Sequence, residues 1–149
     1  MNKGLMLRFV KYRDGRYWEG GGWVYTPFGA VRGACAGATP GKDDHVRLLD
    51  NWAATALRKG LRKVVVGDKE SAVGANGFGH FVPIAGAATP KDYGLGLHPV
   101  YIEIIRNISP DRLVWINAAA GTDRPKNPTV AAVKDGATVA ILMPARVFK

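Results

Sequence analysis

The chain has 149 residues, 47% of them hydrophobic, and a formal net charge of +9 from 21 Lys plus Arg against 12 Asp plus Glu. That length and composition suit one packed core and exclude a wholly disordered chain. The single cysteine, Cys35, excludes an intramolecular disulfide, and no CxxC or Cys/His cluster offers zinc its usual four ligands.

The opening MNKGLMLRFVKYRDG is interrupted by Lys3, Arg8 and Lys11, so no leader peptide is expected. Leu5 to Tyr12 alternate loosely, Asp14-Gly15 signals a turn, and Arg16 to Glu19 supply a second strand. Gly20 to Gly22 lead to a third, aromatic arm, Trp23 to Tyr25, so region 5–25 reads as a hairpin region. Its aromatics are either cross-strand core partners or an exposed sticky patch, and core is the ordinary reading. From Thr26 to Gly41 the chain is rich in Gly, Ala and Pro and lacks the bulk for a packing layer, which predicts an extended loop.

An amphipathic helix is predicted over about 43–60. Asp43 or Asp44 caps it, Val46, Leu49, Trp52, Ala53, Ala56 and Leu57 recur at helical spacing, and Gly60 stops it. Arg58, Lys59, Arg62 and Lys63 then fall at its C-terminal end, where the helix dipole favours cations. Val64 to Val66 form a short strand. Ala72 to Ile84 contain Asn76-Gly77, a pair favoured in tight hairpin turns, with strands on both sides and Pro83 placing the second at an edge or ending it.

A second small-residue loop is predicted over 85–96. Val100 to Ile105 and Leu113 to Ile116 read as strands joined by a turn at 107–111, where Pro110 favours the bend. After the loop Gly121 to Pro128, Thr129 to Val133 and Ala137 to Met143 flank Lys134-Asp135-Gly136 as a closing hairpin, and Pro144 ends the last strand. No run reaches the ~18 apolar residues that span a bilayer, so no membrane partner is expected. The fold class is therefore α+β in a single domain, 1–149: mostly antiparallel sheet, one main helix, and long Gly/Ala/Pro-rich loops.

No catalytic constellation is evident. His45, His80 and His98 share no motif, and an enzyme assembled from His80, His98 and Asp92 is the weakest reading. Cys35 has only Ala34, Ala36 and Gly37 around it, with no charge to lower its pKa. Ser71 and Ser109 lack a GxSxG setting. The glycine-rich stretch Gly74 to Gly79 superficially resembles a phosphate loop, but Phe81-Val82-Pro83 follows where a helix would be needed. No cofactor and no metal site are expected. The concentrated charge feature is Arg58, Lys59, Arg62 and Lys63, a candidate basic interaction surface for nucleic acid or an acidic neighbour, against the ordinary reading of a solvated helix end.

The helix RLLDNWAATALRKG, the stretch FGHFVPIAGAATP, the strands around DRLVWI and the terminal ATVAILMPARVF together resemble the neck or minor capsid proteins of tailed bacteriophages. The resemblance covers about Asp44 to Phe148, and the segment YRDGRYWEGGGWVY has no counterpart in it. It implies a non-enzymatic virion protein, assembled in the host cytoplasm as a homo-oligomer and held by contacts with other virion proteins. The alternative from charge alone is a small basic nucleic-acid-binding protein.

Overall fold

The computed structural model describes residues 10–11, 16–19, 22–25, 43–77, 79–87, 93–116 and 128–148, with side chains from Asp50 onward. The expected loop 26–41, most of the first strand, Cys35, Asp92 and the loop 121–127 lie outside the described residues.

Eleven strands and two helices form a mostly antiparallel α+β fold among these residues. The first sheet has the order β1 (Val10–Lys11), β2 (Arg16–Glu19), β3 (Gly22–Tyr25), β10 (Ala137–Leu142), β9 (Thr129–Lys134), β8 (Arg112–Ile116). The aromatic arms do pair across the glycine joint, with Trp18 opposite Trp23. The second sheet runs β11 (Ala145–Phe148), β7 (Tyr93–Leu97), β6 (His80–Ala85), β4 (Val65–Val66), with β5 (Ala72–Val73) also on β6. Beyond β5 the chain turns at Gly74 to Gly79, and Ala75 N–H donates to the Arg146 carbonyl at 2.9 Å while Gly74 bridges Val147. Pairing thus closes into a ring: β6, β7, β11, and back through the β5 hairpin to β6. Gly96 makes the closure possible, since a Cβ there would stand 2.8 Å from Phe81 Cβ and 2.9 Å from Val147 Cγ1.

The first sheet is covered on both faces, which explains why β9 reads as an uninterrupted run of small and apolar residues, TVAAV. On one face Val114, Ile116, Ala131, Val133 and Ile141 meet Trp52, Ala53 and Ala56 of α1 (Asp43–Ala56). On the other face Trp115, Val130, Ala132 and Leu142 meet α2 (Pro99–Ile108) and, from the second sheet, Val82, Ile84, Leu95 and Leu97. A bulge in β10 keeps both faces apolar. The register shifts between Thr138 and Ala140, so Thr138 donates its hydroxyl to the Ala53 carbonyl at 2.7 Å on the α1 face, while Val139 and Ala140 both face the larger core. The closing hairpin turns at Asp135 (φ 52) and Gly136 (φ 76), the two positive φ values a two-residue hairpin turn uses.

Several expectations are corrected. Val100 to Ile105 is helix, not strand. His98 caps α2 by accepting the Val100 N–H on Nδ1 at 3.1 Å, and Pro99 opens its first turn. Tyr101, Ile102, Ile104, Ile105 and Ile108 form its buried stripe, with Glu103, Arg106 and Asn107 exposed. Isoleucine loses at most about 0.7 kcal/mol of helix propensity, whereas burying each side chain stabilises by about 1.5–3 kcal/mol, so burial wins. The helix ends at Ser109, a left-handed residue (φ 50) whose N–H donates to the Ile105 carbonyl at 2.9 Å.

Part of the expected loop 85–96 is strand: Ala85 ends β6, Tyr93 to Leu97 form β7, paired with both β6 and β11, and residues 88–92 lie outside the described residues. Pro83 neither ends β6 nor marks a sheet edge. It sits opposite Gly96 inside the sheet, and on its other side its missing N–H falls where the neighbour changes from β5 to β4. β11 was not anticipated at all; Pro144 ends β10 as expected, and the chain crosses to the second sheet beyond it. No helix among the described residues is long and apolar enough to cross a membrane.

Candidate basic interaction surface

Arg58, Lys59, Arg62 and Lys63 do not belong to the C-terminal end of α1. The helix closes at Ala56, with no basic residue in its last turn. Short turns unwind it: Leu57 N–H donates to the Ala54 carbonyl at 3.2 Å and Arg58 N–H to the Thr55 carbonyl at 3.1 Å, and Gly60 takes φ 81. The chain turns toward the sheet at this glycine, with Leu61 still packed against the α1 face of the core. The helix dipole therefore does not account for Arg62 and Lys63, which lie on the stretch paired with β8.

After the turn the backbone lies along the outer edge of β8. Trp115 N–H donates to the Arg62 carbonyl at 2.8 Å, Val64 N–H donates to the Leu113 carbonyl at 3.0 Å, and Lys63 bridges Val114. One residue later the same segment pairs with β6 as β4, so it belongs to both sheets. Trp115, 2% exposed, reinforces that joint by donating its indole N–H to the Ala85 carbonyl at 3.0 Å. All four basic side chains remain exposed, Arg58 and Lys59 in the turn, Arg62 and Lys63 on the paired stretch.

Beside this edge lies an open groove of about 450 Å³. Its rim carries Lys63 together with two arginines that the local sequence pattern did not single out, Arg106 near the end of α2 and Arg112 at the start of β8. Its apolar lining includes Val64, Ile105 and Leu113. Asp111, the one acid on the rim among the described residues, accepts the Asp135 N–H at 2.8 Å on Oδ2, which ties it to the β9–β10 turn. On the same side of the molecule Lys134 Nζ donates to the Ile108 carbonyl at 2.7 Å, neutralising the negative end of α2. Among the described residues Lys63, Arg106 and Arg112 form no ion pair, so the groove keeps a net positive rim.

Of the other candidates, His98 and Ser109 hold structural positions at the two ends of α2. His98 is the α2 cap, its ring edge-on to Phe81 (5.9 Å) and Tyr101 (6.3 Å). His80 is exposed on β6, and the side chain of His45 lies outside the described residues. Ser109 ends α2, and Ser71 lies exposed just after the bend 68–70. Gly74 to Gly79 form a hairpin tip, Gly77 N–H donating to the Gly74 carbonyl at 2.8 Å, and a strand follows. Among the described residues no three His, Cys, Asp or Glu side chains cluster to hold a metal. Comparison with family models, with curated proteins and with solved structures returns no match.

Proposed function

We propose that the chain is a structural component of a tailed-phage particle, a head–tail connector, neck or minor capsid protein that works through subunit–subunit contacts. The observation that carries this reading is a pair of exposed apolar side chains at opposite ends of the second sheet. Val65 on the edge strand β4 is 61% exposed and Phe148 on β11 is 55% exposed, both large apolar side chains. Edge strands of monomers are ordinarily shielded by charge, and an apolar edge is a ready surface for a neighbouring chain. The sequence resemblance over about Asp44 to Phe148 supplies the class of particle.

Sedimentation of the full chain over a range of concentrations tests the contacts. A symmetric oligomer weakened by Val65→Lys and Phe148→Lys is expected, and a monomer at every concentration refutes the reading. Detection of the chain by mass spectrometry in purified particles tests the particle assignment.

A second reading, a basic nucleic-acid-binding protein, is favoured by Arg58, Lys59, Arg62 and Lys63 together with Arg106 and Arg112. Counterion release makes such binding fall steeply between ~50 and ~200 mM salt, with a shallower slope when the first four are replaced. No retention of DNA or RNA at low salt eliminates it.

A further inference from the structure

We infer that the groove rimmed by Lys63, Arg106 and Arg112 is a docking site for an acidic polypeptide segment with an apolar anchor residue, supplied by a neighbouring protein of the assembly. The nature of the partner rests on the subunit-contact reading; the chemistry rests on the groove. Val64 and Ile105 are buried in its lining and Leu113 is half-buried, so an inserted aliphatic side chain gains contact with surface already shaped by the core. Around that lining stand three cations without an ion-pair partner among the described residues. Two are guanidinium groups, whose planar fork holds a carboxylate through paired hydrogen bonds.

Nucleic acid fits the same groove less well. Among the described residues no aromatic side chain lines it, so a base finds no stacking partner there. Asp111 adds a carboxylate to the wall, which disfavours a phosphate chain with a charge at every unit more than a segment carrying one or two carboxylates. A volume of about 450 Å³ accommodates one anchor side chain with its flanking groups.

The test titrates the full chain with a short fluorescent peptide in which Asp and Glu flank a central Leu. Two further probes are the same peptide with serine in place of leucine, and a thymidine oligonucleotide of equal charge. The leucine peptide binds at low salt and weakens as salt rises. Arg106→Glu and Arg112→Glu each weaken it about tenfold or more, and loss of the leucine costs about tenfold. The oligonucleotide binds more weakly than the peptide.

Both arginines are exposed, so their replacement leaves the core intact; circular dichroism checks this, and Arg106→Gln and Arg112→Gln weaken binding in the same direction by less. Absence of peptide binding at low salt, unchanged binding by the charge-reversed proteins, or tighter binding of the oligonucleotide overturns the inference. Sedimentation of the same samples separates the two claims. A stable oligomer that ignores the peptide removes the groove assignment alone, and a monomer that binds it removes the assembly reading while the groove assignment stands.

Discussion

Gly86 sits where the two sheets are tied together, and replacing it with alanine tests whether that joint is as tight as its geometry implies. Its φ of 109 lies in a region that side chains with a Cβ rarely enter. A Cβ at this position would overlap the Lys63 carbonyl oxygen and stand 2.8 Å from Trp115 Nε1, the donor that reaches the Ala85 carbonyl. Gly60 is the natural control: it also has positive φ, 81, yet a Cβ there meets nothing within 4 Å.

Gly60→Ala therefore carries only the backbone term, about 1–2 kcal/mol. Gly86→Ala carries that term plus an overpacking cost of about 1–3 kcal/mol, because Trp115 Nε1 is held by its bond to the Ala85 carbonyl and Lys63 is flanked by backbone bonds at Arg62 and Val64, so neither moves aside independently. The expected destabilisation is about 2–5 kcal/mol for Gly86→Ala against about 1–2 for Gly60→Ala. Urea unfolding followed by tryptophan fluorescence reads both, as a lower midpoint at unchanged slope. Equal losses for the two variants refute the claim that the joint is close-packed at Gly86.

Trp115→Phe keeps an aromatic ring in the core and deletes the donor to the Ala85 carbonyl, so it destabilises by about 1–3 kcal/mol in the same unfolding assay. An unchanged midpoint would show that the indole bond does not help to hold the sheets together. His98→Ala removes the acceptor at the start of α2 and costs about 1 kcal/mol, whereas His98→Asn, which keeps an acceptor at the cap, restores most of it. Equal losses for alanine and asparagine would assign the role of His98 to its ring contacts with Phe81 and Tyr101 instead.

Which elements were legible follows from where their determinants lie. α1 announced itself through an apolar stripe and opening acids, and the hairpin at Asp135-Gly136 through residues that tolerate positive φ; both signals are local. α2 was legible in principle. Its stripe at Tyr101, Ile102, Ile104, Ile105 and Ile108 is helical, and Pro99 marks a first turn, but the β-branched run hides the period when it is read only as far as Ile105. β7 and β11 carry weak local signals because tertiary crowding selects their residues: Gly96 is glycine to admit Phe81 and Val147. Pro83 is tolerated inside a sheet because two different strands share one side of β6, a fact of topology alone. For the same reason only part of the groove was readable. Lys63 belongs to a visible cluster, while Arg106 and Arg112 join it only through pairing of residues 62–64 with β8.

That pairing also ranks the cations. A long side chain on a free turn loses conformational entropy when it engages a partner, and this cost offsets much of an exposed ion pair, which is worth roughly 0–1 kcal/mol. Arg58 and Lys59 stand in such a turn. Lys63 stands on backbone held to β8 at both Arg62 and Val64, Arg106 on a helix with five buried side chains, and Arg112 on a strand paired to β9. Their positions relative to one another are set before any partner arrives, so three individually weak contacts act on a ligand together. On the proposed docking, the cluster most conspicuous in the sequence divides: Lys63 belongs to the backbone-anchored edge beside the groove, and Arg58 and Lys59 add mainly long-range attraction that salt removes.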